Sequence, residues 1–216
     1  MHIAIAGGHG QIALVLTRLL SDRGHSVRSI IRNPDHADDV RAAGAEPVVL
    51  DLEQAGVADV AAALDGVDEV VFAAGAGPGS GVERKYTVDQ GASDLCVAAA
   101  ISAGVPRFLQ ISSMGADRAP AGDDVFAHYL RAKAAAEASL RDSGLAAVIL
   151  RPGGLTDGPA TGRVELSPHV ARGSISRADV AAVILGLIER PGISNTTLEL
   201  AAGTDSIEEA LSALST

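Results

Sequence analysis

Short apolar runs alternate along the chain with longer segments whose apolar residues recur at helical spacing. Ile3-Ala4-Ile5-Ala6 predicts a first strand. Glycines follow it, then a helix carrying Leu14, Leu16, Leu19 and Leu20 and capped by Gly24. Val27 to Ile31 predicts a second strand, and Asn33-Pro34 a turn that starts a helix from Asp35 to Ala43, stopped at Gly44. Pro47 to Leu50 is a third strand, ended by Asp51. A helix from Val57 to Leu64 leads to a fourth strand, Val70 to Ala74. An Ala-rich helix from Val88 to Ala103, a strand from Arg107 to Ser112 and a helix from Phe126 to Arg141 continue the pattern. Ala147 to Arg151 is a sixth strand. A glycine-rich loop, a helix from Arg177 to Glu189, a strand from Thr197 to Leu200 and a short helix from Ser206 complete it.

Such alternation specifies a parallel sheet with helices on both faces, three layers in a single domain. Right-handed crossovers make the doubly wound order its natural topology. Composition sharpens this picture. With 47% apolar residues but only 2% aromatic and no Trp, packing falls to Ala, Val, Leu, Ile and Gly, which suits helices laid closely on a sheet. The net charge of −10 and the lack of a basic stripe argue against nucleic acid or anionic membrane as partner. Cys96 is the only cysteine, so no intrachain disulfide forms, and its apolar neighbours mark it as an inert helix-face residue. No signal peptide or membrane span is read, which predicts a cytoplasmic protein, a monomer or homodimer.

The chemistry starts at Gly7-Gly8-His9-Gly10-Gln11-Ile12-Ala13, between the first strand and first helix. Gly7 permits the tight turn, Gly10 lets a pyrophosphate approach the backbone, and Ala13 lets the helix pack close. The helix N-terminus then offers N–H groups to phosphate. His9 either touches a phosphate or is an exposed loop residue. Where an NAD site usually has an acid, at the end of the second strand, this chain has Arg32, with Arg28 on the same strand. A guanidinium there suits a 2′-phosphate, which favours NADP(H) over NAD(H); the alternative is a solubilising edge. Asp51-Leu52 falls where adenine rests, or Asp51 caps the next turn. Gly75 to Gly81 is either a surface loop or part of a ligand site at the carboxyl edge of the sheet.

Tyr129 and Lys133 stand at i and i+4, on one helix face. An ammonium there favours the ionised phenol and can hold the nicotinamide ribose, while the phenol acts as general acid toward a carbonyl oxygen. Ser112-Ser113, at the end of the fifth strand, supplies a hydroxyl for the same oxygen, and the residues alone do not choose between the two serines. The six histidines are scattered and form no metal constellation, and no Gly-x-Ser-x-Gly elbow is present.

Together these residues resemble the short-chain dehydrogenase/reductase superfamily, nearest its atypical or extended branch of epimerase-like and NmrA-like NAD(P)-binding Rossmann proteins. The likeness implies that residues 6–13 are the phosphate turn, so that Gly7, Gly8, His9, Gly10, Gln11 and Ile12 contact the cofactor. It implies an adenine contact at Asp51 and Leu52 and a backbone contact along Ala73-Ala74-Gly75. It makes Ser113, Tyr129 and Lys133 the catalytic set, with Ser112 beside the cofactor. Pro152, Gly153, Gly154 and Leu155 resemble the segment facing the nicotinamide amide, and 176–181 the start of the C-terminal helix. Extended members carry a larger substrate region than the one expected here, about 153–176. The function implied is an NADP(H)-dependent oxidoreductase acting on a small carbonyl or quinone substrate. The alternatives are a redox-sensing regulator without turnover, or a sugar epimerase-like enzyme.

Overall fold

A computed structural model describes residues 1–77, 79–118 and 121–215. Eleven strands and eight α-helices run in the order β1 His2–Ala6, α1 Gln11–Asp22, β2 Ser26–Ile31, α2 Ala37–Ala42, β3 Glu46–Val49, α3 Val57–Ala63, β4 Glu69–Phe72, α4 Val82–Arg84, α5 Ser93–Ala103, β5 Arg107–Ile111, α6 Val125–Asp142, β6 Ala146–Pro152, β7 Gly154–Thr156, β8 Arg163–Ser167, β9 Ser174–Ser176, α7 Arg177–Ile188, β10 Thr196–Ala202, β11 Asp205–Ser206 and α8 Ile207–Ser212. The central sheet has the order β11-β8-β10-β6-β5-β4-β1-β2-β3. From β3 to β10 all pairs are parallel; β8 and β11 add an antiparallel edge. The fold is therefore a mostly parallel, doubly wound Rossmann-type α/β domain.

Two apolar clusters cement the layers. On one face, Leu16 and Leu20 of α1 join Val180 and Ile184 of α7 over Ile3, Ile5, Val71 and Leu109. On the other, Val60, Leu64, Val97, Ala100 and Leu140 from α3, α5 and α6 cover Ala4, Val70, Phe72 and Phe108. Alternate residues of each strand serve opposite faces, as strand geometry requires, and both faces are dry. Each fully buried Leu or Ile contributes about 1.5–3 kcal/mol. Cys96 is 1% exposed, and burial pushes its thiol up to about 12, which leaves it without nucleophilic character at neutral pH.

The structure departs from the sequence expectations at three places. The expected helix 88–103 begins earlier: α4 runs into a π-helix, Lys85–Ala92, before α5 takes over. The expected helix from Asp35 is a 3₁₀ turn, Pro34–His36, in which the Asp35 N–H donates to the Asn33 side chain, followed by the shorter α2. The glycine-rich stretch after β6 contains β7 and β9, which pair in a separate two-stranded sheet, and β8. Among the described residues no helix is long and apolar enough to cross a membrane.

Candidate functional site

The strand order reverses between β1 and β4, so the chain leaves those neighbours in opposite directions and opens a crevice at their carboxyl ends. Gly7 and Ala73 begin its walls. Gly7 has φ +82°, and a Cβ there would lie 2.6 Å from Ala74 Cα; at Gly8 a Cβ would lie 2.4 Å from Ser29 Cβ. Both glycines are thus required by the fold, and their N–H groups donate to Ile30 O at 3.1 and 3.0 Å. Gly10 differs. It caps α1 with φ −63°, and the nearest atom to a Cβ there is Gly7 O at 3.3 Å. A Cβ at Gly10 needs a few tenths of an ångström of give from the Gly7 carbonyl, far less than at Gly7 or Gly8, and the space in front of it lies at a helix N-terminus with no acid in its first turn. A pyrophosphate fits that space and that dipole.

Two cavities flank this turn. The first, about 350 Å³, is lined by Gly7, His9 and Gly10, by Arg32, Asn33 and His36 after β2, and by Asp51, Leu52 and Glu53 after β3. The second, about 550 Å³, holds Ile12, Ser112, Tyr129, Lys133 and Leu155. Ala73, Ala74 and Gly75 border both, so the two form one cleft. A dinucleotide is a ligand of the kind such a two-part cleft could hold.

In the first cavity Glu53 is the hub. Arg84 Nη2 lies 2.7 Å from its Oε2, Thr87 Oγ1 donates to its Oε1 at 2.7 Å, and Arg32 Nη1 is 3.1 Å away. The hydrogen bond from Arg84, with Thr87 and the charges of both arginines, outweighs burial and holds the Glu53 carboxyl below its usual range. Arg32 is more than half exposed and is held less closely to Glu53 than Arg84 is. His9 stacks on His36 at 3.6 Å and pairs with Asp39 at 2.9 Å. Asp51 lines the cavity and also accepts from Glu53 N at 3.0 Å, closing the turn after β3. Sequence reasoning did not find Asn33, His36, Glu53 or Arg84; the Arg84-Lys85 pair directly after the glycine-rich loop was the available signal.

In the second cavity α6 presents Tyr129 and Lys133 together. Lys133 is buried, donates to Ile111 O at 3.1 Å and pairs with Asp89 at 3.3 Å. Its Nζ stands 5.7 Å from the centre of the Tyr129 ring. Among the described residues nothing hydrogen-bonds the Tyr129 hydroxyl, which leaves it available to a ligand. Ser112 lines the cavity, but its hydroxyl donates to Glu137 Oε1 at 2.6 Å, so only its lone pairs remain to offer. Ser113 lies one residue past that wall and makes only a long bond, 3.4 Å, to Met114 O. Of the segment 152–155 only Leu155 lines the cavity. Pro152 ends β6, and Gly153 N donates to Leu200 O at 2.9 Å. Gln11 is exposed at the start of α1 and lines neither cavity.

Glu137 anchors this wall. It is 1% exposed and takes Arg151 Nε at 2.8 Å, Arg151 Nη2 at 2.6 Å and Arg141 Nη2 at 2.6 Å. Burial opposes its ionisation, but the bonds from Arg151, Ser112 and Arg141 prevail and hold its carboxyl below the usual carboxylate range. A folded pKa below the unfolded value of about 4.3 stabilises the fold above that pH; the contribution is lost as pH falls through the folded value. Glu137→Gln is therefore expected to cost about 3–5 kcal/mol at pH 7, because it strands a buried Arg151. It is also expected to flatten the loss of stability below pH 4.5. Urea unfolding of both proteins at pH 7, 4 and 3 checks this; parallel pH profiles contradict it.

Residues 7–191 match a family described as NAD(P)H-binding. A Bacillus subtilis protein named as an uncharacterized sugar epimerase, YhfK, is 34% identical over 215 residues, covering 99% of this chain and all of the relative. A Bacillus halodurans structure described as a candidate NAD-dependent epimerase/dehydratase superposes with a TM-score of 0.92, at 32% identity and over 99% of both chains. The anaerobilin reductase ChuY of Escherichia coli O157:H7 gives a TM-score of 0.80 at 26% identity, over 94% of this chain and 97% of that one.

Proposed function

Since the chain belongs to the NAD(P)H-binding family, in its epimerase-like and NmrA-like Rossmann branch, we propose that it reduces a small carbonyl or quinone substrate with NADP(H), using Tyr129 as general acid. The observation that carries the reading is the single cleft: the cavity at the phosphate turn opens, past Ala73 to Gly75, onto the free Tyr129 hydroxyl and Lys133. When bound there, the nicotinamide supplies a hydride to the carbonyl carbon. Tyr129 gives its proton to the carbonyl oxygen as negative charge develops. Lys133, held by Asp89 and Ile111 O, keeps its remaining N–H for the ribose and its charge beside the phenol. Ser113, whose proton is only weakly engaged, lies just outside the cavity wall and serves the substrate oxygen by turning its hydroxyl inward. Ser112, its proton bound to Glu137, fixes the wall. The segment 153–176 forms the substrate side, with Leu155 as its contact.

The test is NADPH oxidation followed at 340 nm against a panel of aldehydes, ketones and quinones. Turnover of at least one is expected; cofactor binding with no turnover across the panel favours a regulator. Cofactor choice is read from Arg32. A charge-assisted pair with the 2′-phosphate is worth about 1.5–3 kcal/mol, one to two decades of affinity. Wild type is expected to bind NADPH that much more tightly than NADH, and Arg32→Ala to lose the difference with NADH affinity unchanged. Calorimetric titration of both cofactors decides; equal wild-type affinities contradict the assignment.

A further inference from the structure

We propose that Lys85 is an anion-binding residue of the substrate cavity and that the substrate carries a carboxylate or a comparable acidic group near its reducible carbonyl. The inference rests on the reading above. Lys85 opens the π-helix behind the glycine-rich loop, a helix type whose wide turns concentrate at functional sites. It is 7% exposed and lines the cavity that holds Tyr129. Its Nζ donates to Gly77 O at 3.1 Å and to Ser80 Oγ at 2.8 Å, two uncharged acceptors. An ammonium has three N–H groups, so one is left for a ligand.

The charge balance of the cavity points the same way. Its ionised wall residues are Lys85, Lys133 and Asp89. Asp89, on the same π-helix, is engaged by Lys133 at 3.3 Å and by Ala76 N at 3.2 Å, and among the described residues no carboxylate pairs with Lys85. One positive charge is left over in a chain whose net charge is −10, so the excess is local. A buried, uncompensated ammonium is costly to maintain, and an arriving anion relieves that cost. Lys85 Nζ stands 5.6 Å from the centre of the Tyr129 ring, as close as Lys133 does at 5.7 Å. A substrate whose carbonyl meets the Tyr129 hydroxyl therefore has a second ammonium within reach of an adjacent acidic group. Ile12, Phe126 and Leu155 supply apolar walls for the remainder.

The probes are phenylglyoxylate and its neutral isostere phenylglyoxylamide. Each is titrated calorimetrically into the NADP⁺ complex and assayed as a substrate with NADPH. Wild type is expected to prefer the carboxylate by about ten- to hundredfold, the range of one charge-assisted bond. Lys85→Gln should erase that preference through the charged probe alone. Lys85→Arg should keep most of it, and NADP⁺ affinity should be unchanged in both variants. The uncharged probe reports any general damage to the cavity, since a merely structural role for Lys85 would weaken both probes equally. If NADP⁺ binds and wild type takes the two probes alike, or if Lys85→Gln weakens both together, this inference falls and the oxidoreductase reading stands. If NADP⁺ itself does not bind, both fall.

Discussion

Tyr129→Phe is expected to lower kcat by about 10²–10⁴ while the affinity for NADPH barely changes. The substitution keeps the ring, its place on α6 and its contact with Phe126, 5.9 Å between ring centres, and removes only the ionisable hydroxyl. General acid catalysis is typically worth that range. Of the polar groups beside the phenol, Lys133 is tied to Asp89 and the Ser112 proton is held by Glu137, so neither takes over its role. Lys133→Met should behave differently, impairing both kcat and cofactor binding, because it removes the ribose contact along with the charge. Steady-state kinetics on any substrate from the panel, with cofactor affinity measured separately, separates the two patterns. Wild-type turnover by Tyr129→Phe contradicts the role assigned to Tyr129. Ser113→Ala is expected to lower kcat more than Ser112→Ala does.

Gly10→Leu is expected to abolish measurable dinucleotide binding without unfolding the protein. The backbone at Gly10 has φ −63°, which any residue adopts, and a Cβ there is tight only against Gly7 O at 3.3 Å, which must give by a few tenths of an ångström. A Leu side chain instead fills the space in front of the α1 N-terminus. Gly7→Ala makes the contrast. It forces a Cβ to within 2.6 Å of the Ala74 backbone at φ +82°, and it should cost stability whether or not cofactor is present. Thermal melts and NADPH titrations of the two variants distinguish a ligand-directed glycine from a structural one. A Gly10→Leu protein that melts like wild type and still binds NADPH contradicts the placement of the pyrophosphate.

The parts of this site that were legible in the sequence are those set by local spacing. The glycines between β1 and α1 and the Tyr129-Lys133 pair needed only a strand, a turn and one helical period to be placed. Arg32 and Asp51 are singled out by their positions at strand ends, and both line the first cavity. What escaped depends on geometry that no short window encodes. The helix extends N-terminal to the Val88 start read from the sequence, as a π-helix from Lys85, and that extension adds Lys85 to the cavity beside Asp89. Glu53 reaches Arg84 and Thr87 across about thirty residues of chain. The three-residue strands β7 and β9 are too short to show alternation, and the antiparallel β8 and β11 are fixed by their pairing with one another and with β10. The two serines look equivalent in sequence. The buried Glu137, twenty-five residues from Ser112, is what separates them.

A crystal structure of the NADP⁺ complex tests the account most directly. It is predicted to place the 2′-phosphate at Arg32, the pyrophosphate over Gly10 at the start of α1, and the nicotinamide in the second cavity. There Lys133 Nζ should hydrogen-bond the ribose, and the Tyr129 hydroxyl should face the open side of the ring. A dinucleotide whose nicotinamide lies outside that cavity, with Tyr129 and Lys133 untouched, would contradict it.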